Sequence, residues 1–192
     1  MYTCLFSDLH VSLPFDKFIM GVLQVLNVAP TQVHPNTWAS LQAFCLLCDV
    51  MRLHLTPSCF LSYYVSHLAQ KVYWLSLVGR SGSVLFDSFA VSYKRFKERF
   101  VKVVIRPEAT TFLFDEVGRS RFPMYWTANP WDFKVWLRPM ESDDEVEILF
   151  LFDALPRKLP CRRLIDAYAE TPLGVWVSIF NCFVGRCIVL VF

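Results

Sequence analysis

The chain has 192 residues, 55% of them hydrophobic and 16% aromatic, with 18 Phe. That is enough apolar material for one packed domain, and it excludes a disordered chain. The net charge of +2 is too small to imply a nucleic-acid partner from the total, so only local clustering could point there. There are seven cysteines, and Asp8 and His10 break the apolar start that a cleavable signal would need. Reduced, buried thiols in a cytoplasmic or nuclear protein are the expectation.

Ser12 and Pro14 read as a helix start, since Pro costs nothing in the first turn. Phe15, Phe18, Ile19, Val22, Leu23 and Leu26 then recur at helical spacing and form one apolar stripe. Asn27 to Asn36 carries two prolines and reads as a loop. Asn36 is placed to cap a second helix whose face holds Trp38, Leu41, Phe44, Cys45, Cys48 and Met51. Thr56 and Pro57 restart the pattern, and Phe60, Tyr63, Tyr64, His67 and Leu68 extend it into a third helix.

From Val72 to Val78 the composition turns aromatic and β-branched, which predicts a strand, and Gly79 to Gly82 is a turn signal. Phe89, Tyr93, Phe96 and Phe100 step by helical intervals and predict an amphipathic helix. Val101 to Ile105, Thr111 to Phe114 and Phe122 to Trp126 read as strands. The last two are joined by an Asp-Glu-Val-Gly-Arg-Ser turn, and Pro123 places the second at a sheet edge. The Tyr and Trp of that stretch are expected to pack at the core and its rim. An acidic run, Glu141 to Glu147, precedes an apolar helix near Ile148 to Leu155, and Arg157, Lys158, Arg162 and Arg163 form a second basic cluster. The class predicted is α+β: an N-terminal helical cluster, then a small antiparallel sheet with a packed amphipathic helix. The domain is expected over 12–170, with 171–192 as a hydrophobic tail.

The chemistry-bearing patterns are few. Cys45-x2-Cys48-x5-His54-x4-Cys59 comes within one residue of a zinc-knuckle spacing. It lacks the glycine of a knuckle loop, and its first two Cys share a helical apolar face, so core thiols are the expectation. Ser142-Asp143-Asp144-Glu145 places its acids side by side, where they cannot converge on two metals; a solvated acidic loop is expected. His10, His34, His54 and His67 have no paired nucleophile in their local context. No catalytic residue, metal or cofactor is therefore assigned.

The segment Ser92 to Phe100 is the strongest candidate for binding. From Lys94 to Arg106 there are six basic residues and one acid, Glu98. Lys94, Arg95, Lys97, Arg99 and Lys102 are the candidate nucleic-acid contacts, since phosphate binding needs such clustering. If the segment is helical, its aromatics face the core and are withheld from stacking, and Glu98 can pair with Arg95 and Lys102. The alternative is an ordinary solvated face. Leu173 to Phe192 is long enough to cross a bilayer but carries Asn181 and Arg186. A central Arg costs roughly 2.5–3.5 kcal/mol there. Membrane contact therefore depends on this tail being genuine.

Three ordered blocks carry a family resemblance: LNVAP-x-Q-x-HPN-x-W (Leu26 to Trp38), SYK-x-FK-x-RF (Ser92 to Phe100) and RFP-x-YWT (Arg121 to Thr127). With these blocks the chain resembles the plant gypsy-type transposon domain, a retroelement-derived family also labelled a plant transposon or transposase protein. The resemblance covers roughly 13–127, with weaker continuity to about Tyr168. It implies a gag-like interaction or nucleic-acid-associated role with possible self-association, and it carries over no catalytic residue. The enzyme label would instead imply a nuclease or integrase-like activity. The tail from Leu173 departs from the family pattern, which points to a truncated or misread gene copy.

Overall fold

A computed structural model describes residues 1–69, 74–105, 111–134, 136 and 143–170. Within them the chain runs α1 (Thr3–Ser7), α2 (Lys17–Val25), α3 (Pro35–Met51), α4 (Pro57–Leu61), β1 (Tyr64–Ala69), β2 (Trp74–Gly79), α5 (Asp143–Asp153) and α6 (Cys161–Glu170). The architecture is α+β, with helices leading and one two-stranded antiparallel sheet.

The centre is α3, which buries residues almost all the way round, among them Trp38, Leu41, Phe44 and Leu47. A helix apolar on all sides has to sit inside other layers. Phe44 meets Phe18 of α2, Phe60 of α4 and Phe152 of α5 at ring separations of 5.5, 5.3 and 5.1 Å. One ring thus ties four helices together. Each such side chain stabilises the fold by roughly 1.5–3 kcal/mol through burial. The amphipathic α6 lays Cys161, Leu164 and Ile165 into the same core. The core also reaches further toward the N-terminus than the expected 12–170 domain, because Leu5 and Leu9 are fully buried in it.

Several expected boundaries move for local reasons. The first long helix begins at Lys17, not at Ser12 or Pro14, because the Asp16 side chain accepts from Ile19 N–H at 2.7 Å and caps it. The cap of α3 is His34, whose Nδ1 accepts from Asn36 N–H at 3.1 Å with Pro35 in the first turn. Asn36, expected as that cap, instead bonds both backbone groups of Ala90, at 2.9 and 3.1 Å. The third helix stops at Leu61, and Tyr64 to Ala69 pair with Trp74 to Gly79 as a strand. Tyr63, Tyr64 and Val65 favour the extended form, and six cross-strand pairs outweigh a helical spacing that was ambiguous.

The helix expected over Phe89 to Phe100 does not form. Only a single 3-10 turn, Phe96–Glu98, is present, and Arg95 before it has a left-handed φ of 61°. The amphipathic helix that does pack on the core is α6. Of the expected strands after residue 100, Thr111 to Phe114 contributes one antiparallel bridge, Phe114 to Ser120, and Val101 to Ile105 and Phe122 to Trp126 join no ladder. The turn between Phe114 and Ser120 is as expected in kind. Asp115 Oδ1 accepts from Val117 and Arg119 N–H at 3.0 and 2.8 Å, and Gly118 takes a φ of 77°. The expected tail, 171–192, lies outside the described residues, as does the start of the acidic run, 141–142. No helix among the described residues is long and apolar enough to cross a membrane.

Candidate nucleic-acid interface

The basic segment is an exposed strap held along the protein by the chain's first three residues. Met1 and Val101 exchange two bonds, with the terminal ammonium donating to Val101 C=O at 2.7 Å and Val101 N–H to Met1 C=O at 2.8 Å. Thr3 N–H donates to Arg99 C=O at 3.0 Å, and Tyr2 bridges Phe100. These tertiary bonds bind main-chain groups that a helix would have used internally, which explains why the helical spacing fails here.

With the strap extended, its aromatic residues no longer share one core-facing stripe. Phe89 is buried, Tyr93 and Phe96 are half-buried, and Phe100 is 73% exposed. Phe96 inserts into an aromatic group built from distant parts of the chain. It lies 5.0 Å from Trp74, 5.1 Å from Tyr2 and 6.0 Å from His34, ring centre to ring centre. Trp126 meets Trp74 edge-on at 6.0 Å and donates its Nε1–H to Thr31 Oγ1 at 2.8 Å. Such edge-to-face contacts fix ring positions as well as burying area.

All five candidate cations are exposed. Lys97 Nζ stands 4.3 Å above the Trp74 ring centre, a cation–π contact that joins the charged strap to the aromatic group. Arg95 pairs with Glu98 at 3.0 Å, as the sequence suggested, but both side chains are well exposed, so the pair adds little stability. The second expected partner of Glu98, Lys102, lies beyond the turn beside an apolar cleft that includes Phe15, Phe112 and Phe122. Lys94 and Arg99 carry no ion pair among the described residues. Burial, helped by the charge of Lys97, lowers the pKa of His34 below its usual 6.5, which favours the neutral ring that caps α3.

Trp74 and Tyr2 could not be assigned to this site from the sequence. They lie far from Lys97 along the chain, and only the N-terminal pairing and the β1–β2 hairpin bring them together. The near-knuckle cysteines have a different setting. Cys45 and Cys48 sit on α3 and Cys59 on α4, and burial raises the thiol pKa of both Cys45 and Cys48. That opposes the thiolate form a zinc ligand needs. Among the described residues no group of three or more His, Cys, Asp or Glu side chains is placed to hold a metal ion.

In the Phe122 to Trp126 stretch, Phe122 is buried, Tyr125 is 82% exposed and Trp126 is 46% exposed. The packing expected of Tyr125 is therefore corrected: its ring faces solvent, and Trp126 forms the rim. Comparison with family models, with curated proteins and with solved structures gives no match for this chain.

Proposed function

We propose that this chain is a non-enzymatic, retroelement-derived interaction domain that associates with RNA or DNA through the Lys94–Lys102 strap. The observation that carries the reading is the contact of Lys97 with Trp74. It sets Lys97, one of the five exposed cations, over Trp74, whose ring meets the partly exposed Trp126, while Phe100 of the same strap faces solvent. Cations that neutralise phosphates beside rings that can stack on bases are the combination that retains single strands. The family resemblance supports the same class of role, through blocks that include the strap itself. A nuclease or integrase-like activity would need separated acids converging on one cleft, and no observation favours it.

The test is retention of a single-stranded oligonucleotide and of its duplex by the full chain, at two salt concentrations. Salt-sensitive retention is expected, stronger for the single strand, and lost when Lys94, Arg95 and Lys97 are all changed to Glu. Unchanged retention by that variant would overturn the assignment to the strap, and no retention by the parent would overturn the nucleic-acid role.

A further inference from the structure

A second concave site, distinct in chemistry from the strap, lies between α3, the outer edge of β2 and the extended segment 84–88. It encloses about 520 Å³, with Lys158 and Asp87 at its rim and Thr37, Ser40 and Tyr64 among its walls. The walls converge at Gly79, where an added Cβ would stand 3.0 Å from Val84 Cγ2. The Asn36 clamp on Ala90 joins α3 to the same segment further along. A cleft pinched in this way suits a small molecule better than a chain passing through.

The polar groups in it are unevenly committed. Tyr64 is buried and its phenol O–H has no hydrogen-bond partner. Ser40 lies near enough to favour the phenolate slightly, but its own proton goes to Asn36 C=O at 3.1 Å. Burial dominates and raises the Tyr64 pKa, so the phenol remains a donor. Thr37 Oγ1 accepts from Leu77 N–H at 2.8 Å, which leaves its proton to give. Lys158 has no ion pair among the described residues. Asp87 is the one carboxylate of the rim, and its Oδ1 already accepts from Cys161 N–H at 2.7 Å.

Tyr64, Thr37 and Lys158 thus bias the cleft toward uncommitted donors, while the Asp87 carboxylate balances the Lys158 charge at the rim. The start of α3 is not the source of this bias. Its Asn36 N–H is taken by His34 Nδ1, and its Thr37 and Trp38 N–H groups by His34 C=O. A buried hydroxyl without a partner is costly, and native proteins rarely keep one without a use.

We propose that this cleft binds a small organic acid rich in hydroxyl or carbonyl oxygens. The carboxylate lies at Lys158, and other oxygens accept from Tyr64 and Thr37. The surface is independent of the nucleic-acid reading, and its test does not involve nucleic acid.

Thermal-shift and calorimetric titrations of the full chain with gluconate, malate and 2-oxoglutarate test it, beside neutral glucose and inorganic phosphate. At least one of the acids is expected to raise the Tm in a dose-dependent way, with no shift from glucose or phosphate. Tyr64→Phe removes the unpaired hydroxyl, so it should raise the Tm of the unliganded protein while weakening the acid about tenfold. Lys158→Asn, chosen because Asn tolerates the left-handed backbone at this position (φ 57°), should weaken it by a similar factor. The proposal is overturned if no acid shifts the parent protein, or if phosphate shifts it equally. Survival of the shift in both variants would also overturn it.

Discussion

Gln32 bonds both main-chain polar groups of Thr127. Its Nε2–H donates to Thr127 C=O at 2.8 Å, and its Oε1 accepts from Thr127 N–H at 3.0 Å. Thr127 in turn donates its hydroxyl to Asn27 C=O at 2.6 Å. Gln32 belongs to the LNVAP-x-Q-x-HPN-x-W block and Thr127 closes the RFP-x-YWT block, so two of the three sequence signatures are one contact in space. The third joins them through the same loop, where His34 meets Tyr93 and Phe96, both within SYK-x-FK-x-RF, at 6.0 Å.

Replacing Gln32 by Leu should destabilise the protein by about 2–4 kcal/mol. Gln32 is fully buried, and its loss leaves the Ala29 N–H and the Thr127 amide without partners. Urea unfolding measures this, and a change below about 1 kcal/mol would show that Thr127 finds water instead.

Asn36→Ala should cost about 1–3 kcal/mol through the freed Ala90 amide, with the α3 cap left in place. Hydrogen exchange should then quicken at Ala90 while the α3 amides keep their protection. Equal loss across α3 would mean that Asn36 acts mainly on the helix.

His34 makes stability depend on pH. Its folded pKa lies below the usual 6.5, so under acidic conditions the unfolded chain binds the proton first. Stability should be greatest above pH 6.5 and decline as pH falls from there toward the folded pKa. His34→Asn keeps a capping acceptor and removes the titration. Denaturation midpoints for the parent and this variant should diverge below pH 6.5; parallel curves would assign the decline to other groups.

The salt dependence of oligonucleotide retention is bounded by the strap. Five cations at about 0.7 released counterions each give a log–log slope no steeper than about −3.5 for a single strand. Lys97→Gln should lower that slope by about 0.7 and leave it linear. A parent slope well beyond the bound would bring in the second basic cluster around Arg157 to Arg163.

What the sequence determined by itself was local. The apolar stripes of α2 and α3, the Thr56-Pro57 start of α4, the strand ending at Gly79 and the Asp115–Arg119 turn each depend on residues a few positions apart. Spacing, capping chemistry and turn propensity suffice for these. The five exposed cations were legible for the same reason, as a run of charge. Tertiary structure decided whatever had two adequate local answers. Tyr64 to Ala69 became a strand because β2 offered it six partners, and the strap stayed extended because Met1 and Thr3 took its main-chain bonds. Placing Phe96 and Lys97 against Trp74, and Gln32 against Thr127, required the same long-range closure. So the aromatic block that ends in Tyr125, Trp126 and Thr127 is set by distant contacts: Thr127 is locked to Gln32, Trp126 rims Trp74, and Tyr125 is left facing solvent. Contacts between residues far apart in the chain leave no periodic trace in it, because they depend on where separate segments meet.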